Sequence, residues 1–155
     1  MSIESTVLMD MDAPVETSVT MQEYLVFISD ELRYVVSAAN VIEIITNLSI
    51  THMPKVPDYI KGIINLRGQV IPIIDIRLRM YRSPVEYDEE CCIIVINMND
   101  VFVGLLVEKV SHVVNIDEEN ISQPPANKKQ ELVSGIVNLD NDVYLILDCE
   151  KLIQF

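Results

Sequence analysis

Glycine is scarce in this chain, and its scarcity removes whole classes of chemistry. Only Gly62, Gly68, Gly104 and Gly135 occur among 155 residues. They cannot build the G-x-x-x-x-G-K-[ST] loop that cradles phosphates or the glycine turn of a dinucleotide site. Histidine is scarcer still: His52 and His112 lie far apart, without an H-E-x-x-H pattern, and no G-x-S-x-G nucleophile elbow occurs. His52 reads as an exposed loop residue near prolines, and His112, between Ser111 and Val113, as a solvent-facing strand residue. The three cysteines, Cys91, Cys92 and Cys149, make neither a disulfide framework nor a C-x-x-C knuckle. Neighbours on a strand point to opposite faces, so Cys91 and Cys92 read as small apolar residues on either side of a sheet. No catalytic residue, cofactor or metal is expected.

Positive charge is the next shortage. Eleven Lys and Arg stand against 24 Asp and Glu, for a net charge of −13. Such a surface repels phosphate backbones and anionic membranes, which argues against nucleic-acid binding. Apolar runs such as Cys91 to Ile96 are strand length, far short of the ~20 residues that a membrane span needs. The first 20 residues carry Glu4, Asp10, Asp12 and Glu16 and no basic residue, the wrong charge for a secretory signal. A cytoplasmic protein is expected. Half the residues are apolar, ample for a packed core in one domain of ordinary size.

What is present is a repeat. Gly62-Ile63-Ile64-Asn65-Leu66 returns 73 residues later (135 minus 62) as Gly135-Ile136-Val137-Asn138-Leu139. Val70 to Asp75 then corresponds to Val143 to Asp148. Upstream, Val41 to Ile45 matches Val110 to Val114 at an offset of 69 (110 minus 41). An offset that drifts only at loops marks a duplication, and two halves too small to bury a good core alone are expected to pack together. The copies differ at one turn: Arg67-Gly68-Gln69 stands where the second copy has Asp140-Asn141-Asp142. Asp75 and Asp148, at matching positions, read as one structural job done twice, a cap or turn bond at a strand end.

Residues 1–20 read as a flexible acidic lead without sustained period. From Met21 the pattern is β: Tyr24 to Ile28 and Leu32 to Val36 about a turn at Ser29-Asp30-Glu31, then Ile63 to Leu66 and Val70 to Ile76 about Arg67-Gly68-Gln69. Val41 to Ile45 fits either a strand or a helical turn. Ile50 to Asp58, with Pro54 and Pro57, reads as a surface connection. Pro84 and the acidic run after it mark a boundary, so the single domain 21–155 is expected to divide into subdomains of about 21–82 and 83–155. The second half repeats the plan with Cys92 to Ile96, Val101 to Val107 and Val110 to Ile116. Helical turns are expected over Lys128 to Ser134 and Cys149 to Phe155. Many short strands with regular turns predict a mainly β fold with a few short helices.

One charge feature stands out. Between Lys61 and Arg82, five bases (Lys61, Arg67, Arg77, Arg79, Arg82) face one acid, Asp75, so this window is +4 (5 minus 1) in a strongly acidic chain. It reads either as a solvated face of local ion pairs or as a protein-docking face with Lys61, Arg77 and Arg79 beside Arg67.

The stretch Gly62 to Arg77, a G-x-x-N-L-R-G-x-x-x-P-x-x-D-x-R pattern preceded by Val41-Ile42-Glu43-Ile44, Ile50-Thr51, Pro54 and Pro57, resembles the bacterial chemotaxis coupling family, the CheW-like domains. The resemblance runs from about Met21 to Ile153. It implies two small five-stranded, SH3-like β-barrels packed about a shared core. It also implies a non-catalytic scaffold that links the cytoplasmic hairpin tips of chemoreceptors to the regulatory domain of the histidine kinase CheA, recruited from the cytoplasm to receptor arrays. The receptor-facing residues would then be Val41, Glu43, Ile44, Arg67, Cys92 and Val113. The chain departs from the family pattern at His112, where an acid is usual, and at Met80-Tyr81, where Phe-Gly is frequent. Two alternatives stay open: an adaptor of the same family serving surface motility or another pathway, and a small-ligand-binding barrel.

Overall fold

The computed structural model describes residues 20–46, 49–124 and 132–154. The expected lead therefore lies, up to residue 19, outside the described residues. Ten strands follow: β1 (Met21–Ser29), β2 (Leu32–Ser37), β3 (Val41–Ile45), β4 (Ile60–Leu66), β5 (Gln69–Asp75), β6 (Cys92–Met98), β7 (Val101–Val107), β8 (Lys109–Asp117), β9 (Val133–Leu139) and β10 (Asp142–Leu147). Val41 to Ile45 is thus strand. Among the described residues after Thr20, helix is confined to single turns such as Ile76–Arg79 and Cys149–Leu152. Of the helical turns expected over Lys128 to Ser134, Val133 and Ser134 instead open β9, because Val133 pairs with Leu147 of β10 and Ser134 sits at the bulge beside it. Residues 128–131 lie outside the described residues.

The four hairpins close through two-residue turns. Asp30-Glu31, Arg67-Gly68, Asn99-Asp100 and Asp140-Asn141 all have positive φ at both positions, the left-handed pair whose twist matches that of the flanking strands. Gly68 bears this at no steric cost, with open space where a Cβ would stand.

The strands form two five-stranded sheets, in the orders β8-β1-β2-β10-β9 and β3-β6-β7-β5-β4. Exchanging β1 to β5 for β6 to β10 converts one order into the other, so the duplication governs the whole fold. The division at about residue 82 does not: each sheet takes the first hairpin of one repeat and the last three strands of the other. The reason is that each first hairpin pairs across the repeats, β1 with β8 and β6 with β3, while β2 lies parallel to β10 and β7 parallel to β5. A repeat in sequence reports equivalence; it carries no record of pairing.

Continuous apolar runs arise because both faces of the central strands are buried. Along β6 and the residue before it, Cys91, Ile93 and Val95 line the interior of the second sheet, while Cys92, Ile94 and Ile96 enter a core shared by both sheets. Tyr24, Val26, Val35 and Ile146 line the interior of the first sheet. Each sheet thus curls around its own core and packs its outer face on the other, and the two adjacent cysteines fall on opposite faces as expected.

Paired details repeat the symmetry. Asp75 accepts a hydrogen bond from the Leu78 amide (3.3 Å) and Asp148 one from the Lys151 amide (3.1 Å), each capping the helical turn that follows it. Thr51 bridges to Ile63 on β4, and Ser122 to Ile136 on β9, which covers part of those two edges.

Candidate docking groove between two sheet edges

Among the described residues, the edges without a further strand or bridge are β3 and β8. Ile44 pairs with Ile94, and Val113 with Leu25. Paired residues on neighbouring strands point to the same side, and Ile94 and Leu25 both face the shared core. Ile44 and Val113 therefore point that way too, yet they are 39% and 51% exposed, because at the edge they overhang what the opposite sheet covers. Val41, paired with Ile96, is half-buried against the same core. The turn Ala38–Asn40 packs on both β1 and β6, the neighbours of the two edges. Both open edges therefore lie near this turn, and the exposed apolar side chains along them are candidate walls of a docking groove. Each edge is interrupted by a bulge, between Val41 and Glu43 on β3 and opposite Val26 on β8, a device that discourages edge-to-edge pairing.

Arg67 stands at the rim. Its side chain, 73% exposed, meets Glu43 at 2.9 Å, joining the β4–β5 turn to β3 from the opposite edge of the same sheet. So exposed a pair adds little stability, about 0–1 kcal/mol, but leaves a guanidinium and a carboxylate beside apolar side chains. Of the six expected docking residues, Val41, Glu43, Ile44, Arg67 and Val113 are exposed or half-buried. Cys92 is the correction. It is 8% exposed within the shared core, its thiol donates to the Glu90 carbonyl (3.4 Å), and burial raises its pKa. Its own strand pattern reads as a small apolar residue on one face of a sheet, and that reading holds; only the resemblance places it at the receptor face.

The basic docking face is also corrected, since its bases are satisfied within the molecule. The Arg77 side chain is 11% exposed and reaches Asp30 at 3.2 Å and Glu108 at 3.0 Å. Burial opposes its charge, while the hydrogen bond to Glu108 and the charges of Glu108 and Asp30 overcome this and hold the guanidinium above its ordinary pKa. Arg82 meets the other Asp30 oxygen at 2.9 Å, so the β1–β2 hairpin of one sheet is pinned to the end of β5 in the other. Arg79 is buried: it donates to the Lys151 carbonyl (3.2 Å) and lies 5.0 Å from the centre of the Tyr59 ring. Lys61 sits 3.7 Å from the buried carboxylate of Asp75, which also accepts a bond from the Tyr87 hydroxyl at 2.6 Å. Burial and that carboxylate push the Tyr87 pKa well above its ordinary value. Tyr87 is not anticipated from the sequence; a lone tyrosine within an acidic run gives no signal of a buried partner. Ile42, the extra residue of the β3 bulge, is exposed.

Among the described residues, no group of three His, Cys, Asp or Glu could hold a metal, and no helix is long and apolar enough to cross a membrane. A cavity of about 390 Å³ beside Tyr24, Met98 and Ser134 contains none of the groove residues.

Comparison with known proteins agrees with this architecture. Residues 23–155 match the CheW-like domain family. The chemotaxis protein CheW of Klebsiella aerogenes is 34% identical over 136 residues, covering 86% of this chain and 82% of that protein. CheW of Bacillus subtilis is 31% identical, covering 87% and 88%. The solved structure of scaffolding protein TtCheW from Thermoanaerobacter tengcongensis superposes with a TM-score of 0.82 at 32% identity, over 86% of this chain and 93% of that one. With its two five-stranded sheets and its G-x-x-N-L-R-G turn, the chain belongs to the CheW-like domain family.

Proposed function

We propose that this protein is a non-catalytic scaffold that couples chemoreceptors to the histidine kinase CheA. The observation that carries the reading is the groove: Val41, Ile44 and Val113 face the shared core from two edge strands and remain open, with Glu43 and Arg67 at the rim. Such a groove suits an amphipathic helical hairpin, whose apolar stripe fills it while rim charges set register. The cytoplasmic tip of a chemoreceptor is a partner of that kind. A second surface supports kinase pairing. Val70 and Val143, equivalent in the two repeats, lie exposed just after the β4–β5 and β9–β10 turns, suited to edge-on contact with a domain of the same fold, such as the kinase's regulatory domain. The protein works in the cytoplasm and reaches the membrane through the receptor.

The test is co-sedimentation with membranes bearing a chemoreceptor, for wild type, Ile44→Glu and Val113→Glu. A charge at either overhang is expected to weaken binding at least about tenfold, or 1.4 kcal/mol, with the melting temperature unchanged. Undiminished binding by both variants would remove the groove from the function.

A further inference from the structure

The groove is two-fold in its backbone and not in its charges. Register makes this strict. Ile94 on β6 and Leu25 on β1 are equivalent, and their edge partners are Ile44 and Val113; Ile96 and Phe27 are equivalent, with partners Val41 and Val110. The apolar positions therefore match across the pseudo-two-fold axis: Ile44 with Val113, Val41 with Val110. The charged positions do not match, and one pair is opposite in sign. Glu43 has the register of His112, and Arg67, first residue of its turn, that of Asp140, first residue of the matching turn. His112 and Asp140 are both exposed.

An antiparallel helical hairpin has an approximate two-fold axis of its own. Against the apolar walls alone it could dock in two directions with similar contacts, because the walls look alike from either end. Resting on the function proposed above, we infer that the charge difference sets the direction of docking. Arg67 selects the end of the hairpin that presents a carboxylate, Asp140 the end that presents a lysine or arginine, and the reversed hairpin meets like charge at both rims. Glu43 and His112 are positioning residues on the adjoining strands. Apolar contact then supplies affinity common to both directions, and the rims supply the difference between them.

The charges can be exchanged with little structural cost at the turns. Arginine and aspartate each already occupy the same left-handed conformation in the sister turn, with φ of 52° at Arg67 and 51° at Asp140. The experiment uses the full chain and a synthetic two-helix peptide of a chemoreceptor tip carrying a nitroxide at one end. Paramagnetic broadening is read at the amides of Gly68 and Asn141. Wild type is expected to show broadening at one of the two only. In the variant Glu43→His, Arg67→Asp, His112→Glu, Asp140→Arg it should move to the other, with affinity within about threefold. The double variant Arg67→Asp, Asp140→Arg carries the same test at the turns alone. Broadening that stays at the original turn in both variants, or that is equal at both turns in wild type, overturns the assignment of direction while leaving the groove as the binding site. Failure of wild type to bind the peptide overturns the function and the direction together.

Discussion

The first repeat and the second fold alike strand for strand, cap for cap and turn for turn, yet they spend their charges differently. The first carries Glu43 and Arg67 at the groove rim, buries Arg79 beneath Tyr59, and ties Lys61 and Tyr87 to Asp75. At the positions of Arg79 and Arg67 the second has Leu152, fully buried, and Asp140, and Asp148 caps its helical turn from a partly exposed site. The difference teaches that the backbone of this fold is specified by apolar register and turns common to both copies, whereas the exposed and buried charges differ from one copy to the other.

Transplanting residues between copies sharpens the comparison. Leu152→Arg should be the most damaging, because it buries a cation in the shared core without a partner; a loss of about 4 kcal/mol or more is expected from urea unfolding. The reverse exchange, Arg79→Leu, gives up hydrogen bonds to the C-terminal carbonyls but also removes a buried Nε atom that has no partner. It should fall within about 1.5 kcal/mol of wild type. Equal losses for the two would mean that the sites are not specialised.

The aspartate caps form the next contrast. Asp75→Ala strands the Tyr87 hydroxyl and an amide donor, for about 3 kcal/mol, and Asp148→Ala loses only its cap, for about 1 kcal/mol. The glycines follow. Gly62, at φ 149°, leaves no room for a Cβ before the Thr51 carbonyl, whereas a Cβ at Gly135 would press chiefly on the Ile121 side chain, which can turn aside. Gly62→Ala should cost about 2 kcal/mol, and Gly135→Ala less than about 1.5 kcal/mol, in the same assay.

The smallest effect concerns pH. Burial, with the Asp148 charge adding to it, pushes the Cys149 thiol from an ordinary value of 9.0 up to about 12; its counterpart in the first repeat, Ile76, does not titrate. A raised folded pKa means that the thiol's contribution is present below pH 9 and is lost as pH climbs toward 12. Between pH 7.5 and 9.5 wild type should therefore lose more stability than Cys149→Ala, by under about 1 kcal/mol. Parallel curves would remove this contribution.

Much of this was legible in the sequence, for identifiable reasons. The duplication, the hairpins and the shared job of Asp75 and Asp148 are local signals, readable from spacing and turn residues. The opposite faces of Cys91 and Cys92 follow from strand periodicity. The exchange of first hairpins was not legible, because β1 finds β8 across about 90 residues and nothing in either strand names the other. Nor was the fate of Arg77, whose carboxylate partners Asp30 and Glu108 lie 47 and 31 residues away. Charge counting found a basic window; only the fold shows that most of it is neutralised internally and that Arg67 alone of its first four bases projects from an exposed turn.

Arg67→Glu in co-sedimentation with chemoreceptor membranes, with and without CheA, tests the central claim most directly. Wild type should sediment with the receptor and bring the kinase with it, and the variant should lose receptor binding at least about tenfold at an unchanged melting temperature. Retained binding, or a collapse of thermal stability together with binding, would contradict the placing of the receptor site at the rim of this groove.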